Sequence, residues 1–354
     1  MSYSIVIKDH TNAYIHPISF EIVECLNYTE KSYTPKQGFK YKKKSLLQPG
    51  GMFPTGLVSH VLHHLTEPFE IKDDRIFPPV SLKTPHFKEG FNLRDYQIDY
   101  LVKCCEERRA IVKAETGSGK TAIIAALIAV YDLPTLILVP NNTVLRQLIT
   151  ELQKILIDDN NGLFIGDHHS GHPKVLVSLA RNLVKTDDKF LQQYPLLIAD
   201  EVHHTGASQA QEVIRRNNAP FRFGLTGTPT GRSDNKDLLI IGLFGTIIEI
   251  IDHKDLKREG FHPEIETSIH YVGFHSHYEE MEDLLIVNNL RRNQLIIDIT
   301  RKEVKEEGIS LILVRRIEHG RNLYCMLISD PPQGKIVHYV DGDTSVEQRE
   351  NIRQ

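Results

Sequence analysis

The chain opens on short runs in which apolar and polar residues alternate, "YSIVIKDH" being the clearest, punctuated by Gly and Pro and followed by one stretch with helical spacing, "GLVSHVLHHL". Period-two alternation marks half-buried strands, and apolar spacing of three and four marks a helix. Residues 1–75 therefore predict a small α+β unit. Pro68, Pro78, Pro79 and Pro85 then crowd together. Proline fixes φ and disfavours helix at the residue before it, so residues 76–90 predict an extended connector.

Over residues 91–255 the pattern changes. Apolar, β-branched runs ("RAIVKA", "TLILVP", "VLVS", "LLIADE", "FRFGLTGT") alternate with helical segments ("KTAIIAALIAV", "VLRQLITELQKIL", "QAQEVIRRN"). This is the signature of a parallel sheet covered by helices on both faces, an α/β fold. A shorter α/β pattern fills residues 256–354: helix "NNLRRNQLIIDITRKEVKEEG", strand "SLILV", helix "RIEHGRNLYCMLI", strand "KIVHYV". The longest apolar run, "AIIAALIAVYDLPTLILV", is cut by Asp132 and Pro134 into a helix and a strand, each short of the about 20 residues a bilayer demands.

The net charge of -4 gives no overall reason to expect a polyanionic partner, but its distribution does. Five lysines crowd into "KQGFKYKKK", where Lys36, Lys40, Lys42, Lys43 and Lys44 interleave with Phe39 and Tyr41. Such a patch can meet phosphates with its charges while its rings stack, and it can equally be a solvated strand. The four cysteines form no CxxC pair, and no charged-then-apolar leader opens the chain, so reduced thiols and a cytoplasmic location are expected. Two histidine groups, His60, His63 and His64 and then Asp167, His168, His169 and His172, lack the spacing of a zinc motif and read as exposed polar residues.

The strongest chemistry lies in "AETGSGKT", Ala114 to Thr121, which follows a strand and opens a helix. Gly117 and Gly119 let the backbone turn its N–H groups, with those of Glu115, Thr116 and Ser118, toward phosphate oxygens. The helix N-terminus adds a favourable dipole. Lys120 is placed to neutralise β/γ-phosphate charge and Thr121 to offer a hydroxyl to Mg²⁺. Farther on, "LLIADEVHH" ends an apolar strand on Asp200 and Glu201, a metal-holding acid and a base for the attacking water.

"AETGSGKT", "DEVHH" and "LTGTP" (Leu225 to Pro229) together resemble motifs I, II and III of superfamily 2 helicases of the DExH type. The resemblance implies two recA-like lobes that bind ATP and Mg²⁺. It implies Arg94 and Gln97 of "FNLRDYQ" as contacts to the nucleotide base, and His203, Thr226 and Thr228 as residues coupling nucleotide state to motion. "LILVPNNTVLRQ" is similar to motif Ia, which places Pro140, Asn141 and Asn142 near the nucleic-acid backbone. "LILVRRIEHGRNL" with "HYVDGDTSVEQRE" resembles the start of the second lobe and places Gly342 and Thr344 there too. One departure is that Leu179 and Arg181 stand where relatives have Thr and Gln.

"DEVHH" with "FRFGLTGTP" and the N-terminal "GFKYKKKSLLQPGGMFPTGLVSHV" is most similar to the XPB and UvsW branch. That branch implies a monomeric DNA motor on branched junctions, with the lysines from Lys40 to Lys44 on DNA. Two alternatives stay open: a translocase subunit of a restriction or remodelling complex, and a nucleic-acid binding module that holds ATP without turnover. In relatives, motifs V and VI with their arginine finger follow "HGDTS", and a lobe of usual size needs about 100 further residues. The expectation is thus a second lobe that stops early and a chain that hydrolyses ATP weakly, since the finger is worth about 10³–10⁵ in turnover.

Overall fold

The computed structural model describes the chain apart from residues 1, 35–37, 116, 158–164, 168–170, 172, 203–207, 231–235, 259, 261–266, 272–282, 305–308, 333 and 354. It divides into two compact units, Met1–Glu264 and Ile265–Gln354.

The first unit begins with β1 (Tyr3–Ile7), β2 (Asn12–His16), α1 (Phe20–Cys25), β3 (Asn27–Thr34) and β4 (Gly38–Ser45). β5 (Met52–Pro54), α2 (Val58–His64) and β6 (Phe69–Asp73) follow. β1 pairs antiparallel with β2 and parallel with β6, and β5 adds to β2, giving the order β5-β2-β1-β6. β3 and β4 form a separate antiparallel hairpin. The alternation read from "YSIVI" is kept: Tyr3, Ile5 and Ile7 face the core and Ser4 faces out. The residues after β6 run extended over the larger body, where the backbone N–H groups of Lys83 and Lys88 donate to the carbonyls of Val130 and Ile155 at 2.9 Å each.

The larger body contains α3 (Asp95–Glu107), β7 (Arg109–Lys113), α4 (Lys120–Tyr131), β8 (Thr135–Leu138), α5 (Asn142–Ile155), β9 (Ile165–Gly166) and β10 (Val175–Ser178). Two short turns of helix, α6 (Ala180–Leu183) and α7 (Asp188–Leu191), lead to β11 (Leu196–Asp200) and α8 (Ser208–Asn217). β12 (Phe221–Thr226), α9 (Asp237–Phe244), β13 (Ile247–Ile248) and α10 (His253–Arg258) complete it. Seven strands form a parallel sheet in the order β13-β7-β12-β11-β8-β10-β9, the architecture the alternation of apolar runs and helices predicts. The central strands are buried on both sides, which is why they read as continuous apolar runs instead of alternating ones. α5 shows the complementary pattern: Leu145, Leu148, Leu152 and Ile155 recur at three and four residues and are the side chains it buries. Among the described residues no helix is long and apolar enough to cross a membrane.

The N-terminal sheet is seated on the larger body at α9 and beside β7 and β12. The turn at Gly56 meets α9 so closely that a Cβ there would run into the carbonyl oxygens of Ile241 and Gly242. The tip between β1 and β2 inserts beside β7 and β12: the Arg109 guanidinium donates to the carbonyls of His10 (3.2 Å) and Leu243 (2.9 Å), and the Thr11 hydroxyl to Asn218 Oδ1 (3.2 Å). Arg222, 1% exposed, donates its Nε–H to the Ala219 carbonyl at 2.8 Å and is held by the charge of Asp9.

In the second unit α11 (Leu290–Glu303) and α12 (Ile317–Ser329) pack around Ile297, Leu323 and Leu327, and α13 (Val346–Arg353) follows. The expected strands "SLILV" and "KIVHYV" are not formed: both segments lack ladder partners among the described residues, and Leu311, Leu313 and Ile336 are 80%, 84% and 82% exposed. A strand is stable only where neighbours satisfy its N–H and C=O groups, so β-propensity alone does not make one.

Burial holds His10 neutral at the seam of the first unit, helped by the charges of Arg222, Arg75 and Arg109, so its pKa falls from 6.5 to about 4. Its Nε2–H donates to the Ile76 carbonyl at 3.0 Å. The unfolded chain protonates His10 near 6.5 whereas the folded chain resists until about 4, so acidification across that window favours unfolding. Denaturant unfolding between these pH values is expected to show stability falling with pH, with a shallower slope in His10→Gln; equal slopes would contradict the assignment.

Candidate functional site

The C-terminal edge of the parallel sheet gathers the chemistry. Register sets it: Thr226 of β12 lies opposite Lys113 of β7, and Leu225 opposite both Val112 of β7 and Asp200 of β11. β12 thus runs between the strand leading into the glycine loop and the strand ending on the acids. The Ala114 N–H donates to the Thr226 carbonyl at 2.9 Å, which ties the start of the loop to the strand of "LTGTP".

The loop is held in a cradle shape. Gly117 and Gly119 take φ of 84° and 79°, in the left-handed region, and a Cβ on Gly119 would collide with the Gln97 amide. Ser118 is fully buried; its hydroxyl donates to the Glu115 carbonyl at 2.7 Å. Its own carbonyl accepts from the Tyr96 hydroxyl and from Gln97 Nε2, each at 2.9 Å. Gln97 closes the circuit by accepting the Arg94 N–H at 3.0 Å, and an Arg94 guanidinium nitrogen donates to the Tyr96 hydroxyl at 2.7 Å. "FNLRDYQ" therefore braces the glycine loop directly, with Gln97 only 3% exposed and Arg94 at the surface. Tyr96 was not legible as a site residue, because a tyrosine at a helix start carries no motif signal of its own.

α4 starts at Lys120, and Thr121 follows in its first turn. The Lys120 ammonium is ion-paired with Glu201 across the end of β12. Glu201 adopts φ 51°, a conformation that costs a non-glycine residue about 1–2 kcal/mol, at the turn leaving β11. Its N–H donates to Asp200 Oδ1 at 3.0 Å. Burial raises the Asp200 pKa and the neighbouring Glu201 charge adds to this, while Lys120 and the Glu201 N–H pull it down. An acid so placed, buried beside a cation and a second acid, is suited to a divalent metal whose charge would offset its desolvation. Loop, lysine and acids fit a magnesium-bound oligophosphate.

Thr226 is buried and its Oγ1 accepts the Thr228 N–H at 3.2 Å, while Thr228 itself is exposed. His203 and Thr116 lie outside the described residues, as do His168, His169 and His172. Pro140 leads into the exposed Asn141, whose side chain caps α5 by accepting the Val144 N–H at 3.0 Å, and Asn142 is the first residue of that helix. Leu179 is 2% exposed and belongs to the core, so it presents nothing to a ligand, and Arg181 is at the surface. In the second unit Gly342 and Thr344 form the turn before α13, where the Asp341 N–H donates to Thr344 Oγ1 at 3.0 Å.

The basic stretch forms β4 of the projecting hairpin. Register puts Lys40, Lys42 and Lys44 on one face, and Phe39, Tyr41 and Lys43 on the other with Lys31, whose ammonium sits 4.3 Å over the Phe39 ring. Phe39 and Tyr41 are exposed. Lys43 pairs with Glu24 at 2.8 Å and Lys44 with Glu30 at 2.5 Å, and Glu30 also holds Lys236 at 2.8 Å. The expectation that His60 is an exposed polar residue is corrected: it is half-buried against α1, because α1 packs on α2 and its last carbonyl, that of Cys25, takes the imidazole N–H at 2.9 Å.

Residues 90–231 match the family model described as type III restriction enzyme, res subunit. The DNA 3'-5' translocase XPB2 of Sulfurisphaera tokodaii is 31% identical over 168 residues, covering 48% of this chain and 38% of that protein. The ATP-dependent DNA helicase uvsW of Enterobacteria phage T4 is 23% identical over 275 residues, covering 72% of this chain and 54% of that protein. The chain spans between about a third and about a half of the length of these relatives. A crystal structure of T4 UvsW superimposes with a TM-score of 0.57 at 18% identity, covering all of this chain and 77% of that one, which speaks for the fold alone. The sheet is that of the helicase recA-like fold, and in sequence the chain is similar to superfamily 2 helicases, XPB2 and uvsW among them.

Proposed function

We propose that the chain is an ATP-dependent DNA motor, a helicase or translocase that works on branched DNA such as reversing forks and Holliday junctions in recombination or repair. The observation that carries the reading is the Lys120–Glu201 pair at the sheet edge beside Asp200. ATP would supply the phosphoryl group, and Mg²⁺ charge neutralisation for its transfer. Thr121 and Asp200 are the residues to hold the ion. Lys120 exchanges its carboxylate partner for phosphate oxygens, and Glu201, released, orients a water and takes its proton. Gln97 and Tyr96 keep the loop in shape, and Arg94, at the surface beside Tyr96, would contact the nucleotide base. Thr226 and Thr228 connect the end of β12, and so the loop, to any movement driven by nucleotide.

DNA phosphates would meet the N-terminus of α5 at Pro140, Asn141 and Asn142, where free helix N–H groups favour anions. Gly342 and Thr344 are the matching turn of the second unit. The β3–β4 hairpin is a two-stranded ribbon with exposed rings on one face and lysines on the other, a shape that fits a duplex groove. The names of XPB2 and uvsW, a DNA translocase and a DNA helicase, support DNA as the track. The match of residues 90–231 to a restriction-enzyme subunit favours, as a second reading, translocation without strand separation.

Lys120→Ala is expected to lower DNA-stimulated ATP hydrolysis at least about 10²-fold with DNA binding retained. Retained hydrolysis would contradict the nucleotide site. Strand displacement on forks, run beside triplex displacement, separates the two readings: a motor that clears triplexes but leaves forks annealed is a translocase only. For the hairpin, Lys40 and Lys42 have no ion-pair partner among the described residues, so Lys40→Ala with Lys42→Ala is expected to reduce the salt slope of DNA binding by about 2. An unchanged slope would remove β4 from the interface.

A further inference from the structure

α1 ends at Cys25 and packs against α2, which carries His60 and His64 one turn apart. The Sγ of Cys25 and one ring nitrogen of each histidine lie within 4.8 Å of one another. Backbone carbonyls set both tautomers. The Nε2–H of His60 donates to the Cys25 carbonyl at 2.9 Å, and the Nδ1–H of His64 donates to the His60 carbonyl at 2.8 Å. A lone pair is left on Nδ1 of His60 and on Nε2 of His64, the form in which imidazole binds a metal. Histidine ligands in metal sites commonly anchor the opposite ring N–H in this way.

We propose that Cys25, His60 and His64 form a three-ligand Zn²⁺ site with water in the fourth position. One thiolate and two imidazoles make a borderline-soft donor set suited to zinc, and two histidines four apart on one helix are a recurrent half of such sites. Zn–N and Zn–S bonds of about 2.0–2.3 Å require ligand atoms roughly 3.3–3.6 Å apart. The three groups, within 4.8 Å of one another, must draw closer to reach that spacing, and His64 is exposed on its helix. On binding, the Cys25 thiol proton passes to solvent as the sulfur takes up the ion.

The location gives the ion a task. Leu26 alone separates Cys25 from β3, and the Leu46 N–H at the far end of the hairpin donates to the Leu26 carbonyl at 2.8 Å. Zinc at Cys25 would tie α2 to the root of the β3–β4 hairpin and limit how that ribbon tilts.

The test is metal binding by the whole chain after chelator treatment, with Co²⁺ as a spectroscopic probe and Zn²⁺ as competitor. One Co²⁺ per chain is expected, with tetrahedral visible bands and a thiolate charge-transfer band in the near ultraviolet, both erased by one equivalent of Zn²⁺. Cys25→Ser should abolish the charge-transfer band, and His64→Gln, at an exposed position that the fold tolerates, should weaken Zn²⁺ binding at least about tenfold. His63→Gln should change neither. A charge-transfer band that survives Cys25→Ser, no band in the wild-type chain, or wild-type affinity in His64→Gln would each overturn the proposal.

Discussion

Everything at the candidate nucleotide site depends on the parallel register of β7, β12 and β11. Parallel pairing makes all three strands finish at one edge of the sheet, so the loop after β7 and the acids after β11 face the same space. β12 sets their separation, and that spacing lets a lysine on the first turn of α4 reach a glutamate one residue past β11. The unusual backbone of Glu201 belongs to the same constraint: a strand that stops on a half-buried aspartate turns at once and brings the next carboxylate over the edge.

The same economy explains how the N-terminal sheet is attached. A small sheet with its own core would be free to swing, but here its core is shared with α9, through Leu239 and Ile241 beside Leu57 and Phe53. The absence of a side chain at Gly56 brings the two backbones into contact. The tip between β1 and β2 adds a polar contact there, with Arg222 and a neutral His10 buried, Asp9 and Arg109 half-buried, and Asp9 supplying the charge that favours the Arg222 cation. In the hairpin, by contrast, β4 is exposed on both faces, while β3 is tied to the larger body through the Glu30–Lys236 pair.

Much of this was legible in the sequence, for identifiable reasons. Glycines that need positive φ, a lysine at a helix start and paired acids after an apolar strand are local signals whose spacing survives any packing detail. Five strands of the parallel sheet, β7, β8, β10, β11 and β12, were legible because buried parallel strands must be apolar throughout; β9 and β13, two residues each, are too short to leave such a run. What stayed hidden depends on tertiary contact. Tyr96 and Gln97 grip the Ser118 carbonyl from another helix; Cys25 meets His60 and His64 only because α1 lies on α2; Lys43 and Lys44 have acidic partners far along the chain. "SLILV" and "KIVHYV" have the composition of strands without neighbours to pair with among the described residues, and Leu179 stands in the core where a surface contact could have been sought.

The central claim is that Glu201 is the base of a phosphate site in which it trades Lys120 for water. The most direct measurement is nucleotide binding beside turnover in Glu201→Gln. The account predicts Mg²⁺-ATP affinity equal to or tighter than wild type, since the lysine loses its competing carboxylate, together with DNA-stimulated turnover reduced by about 10²–10⁴-fold. Turnover near the wild-type rate, or loss of ATP binding in that variant, would contradict it.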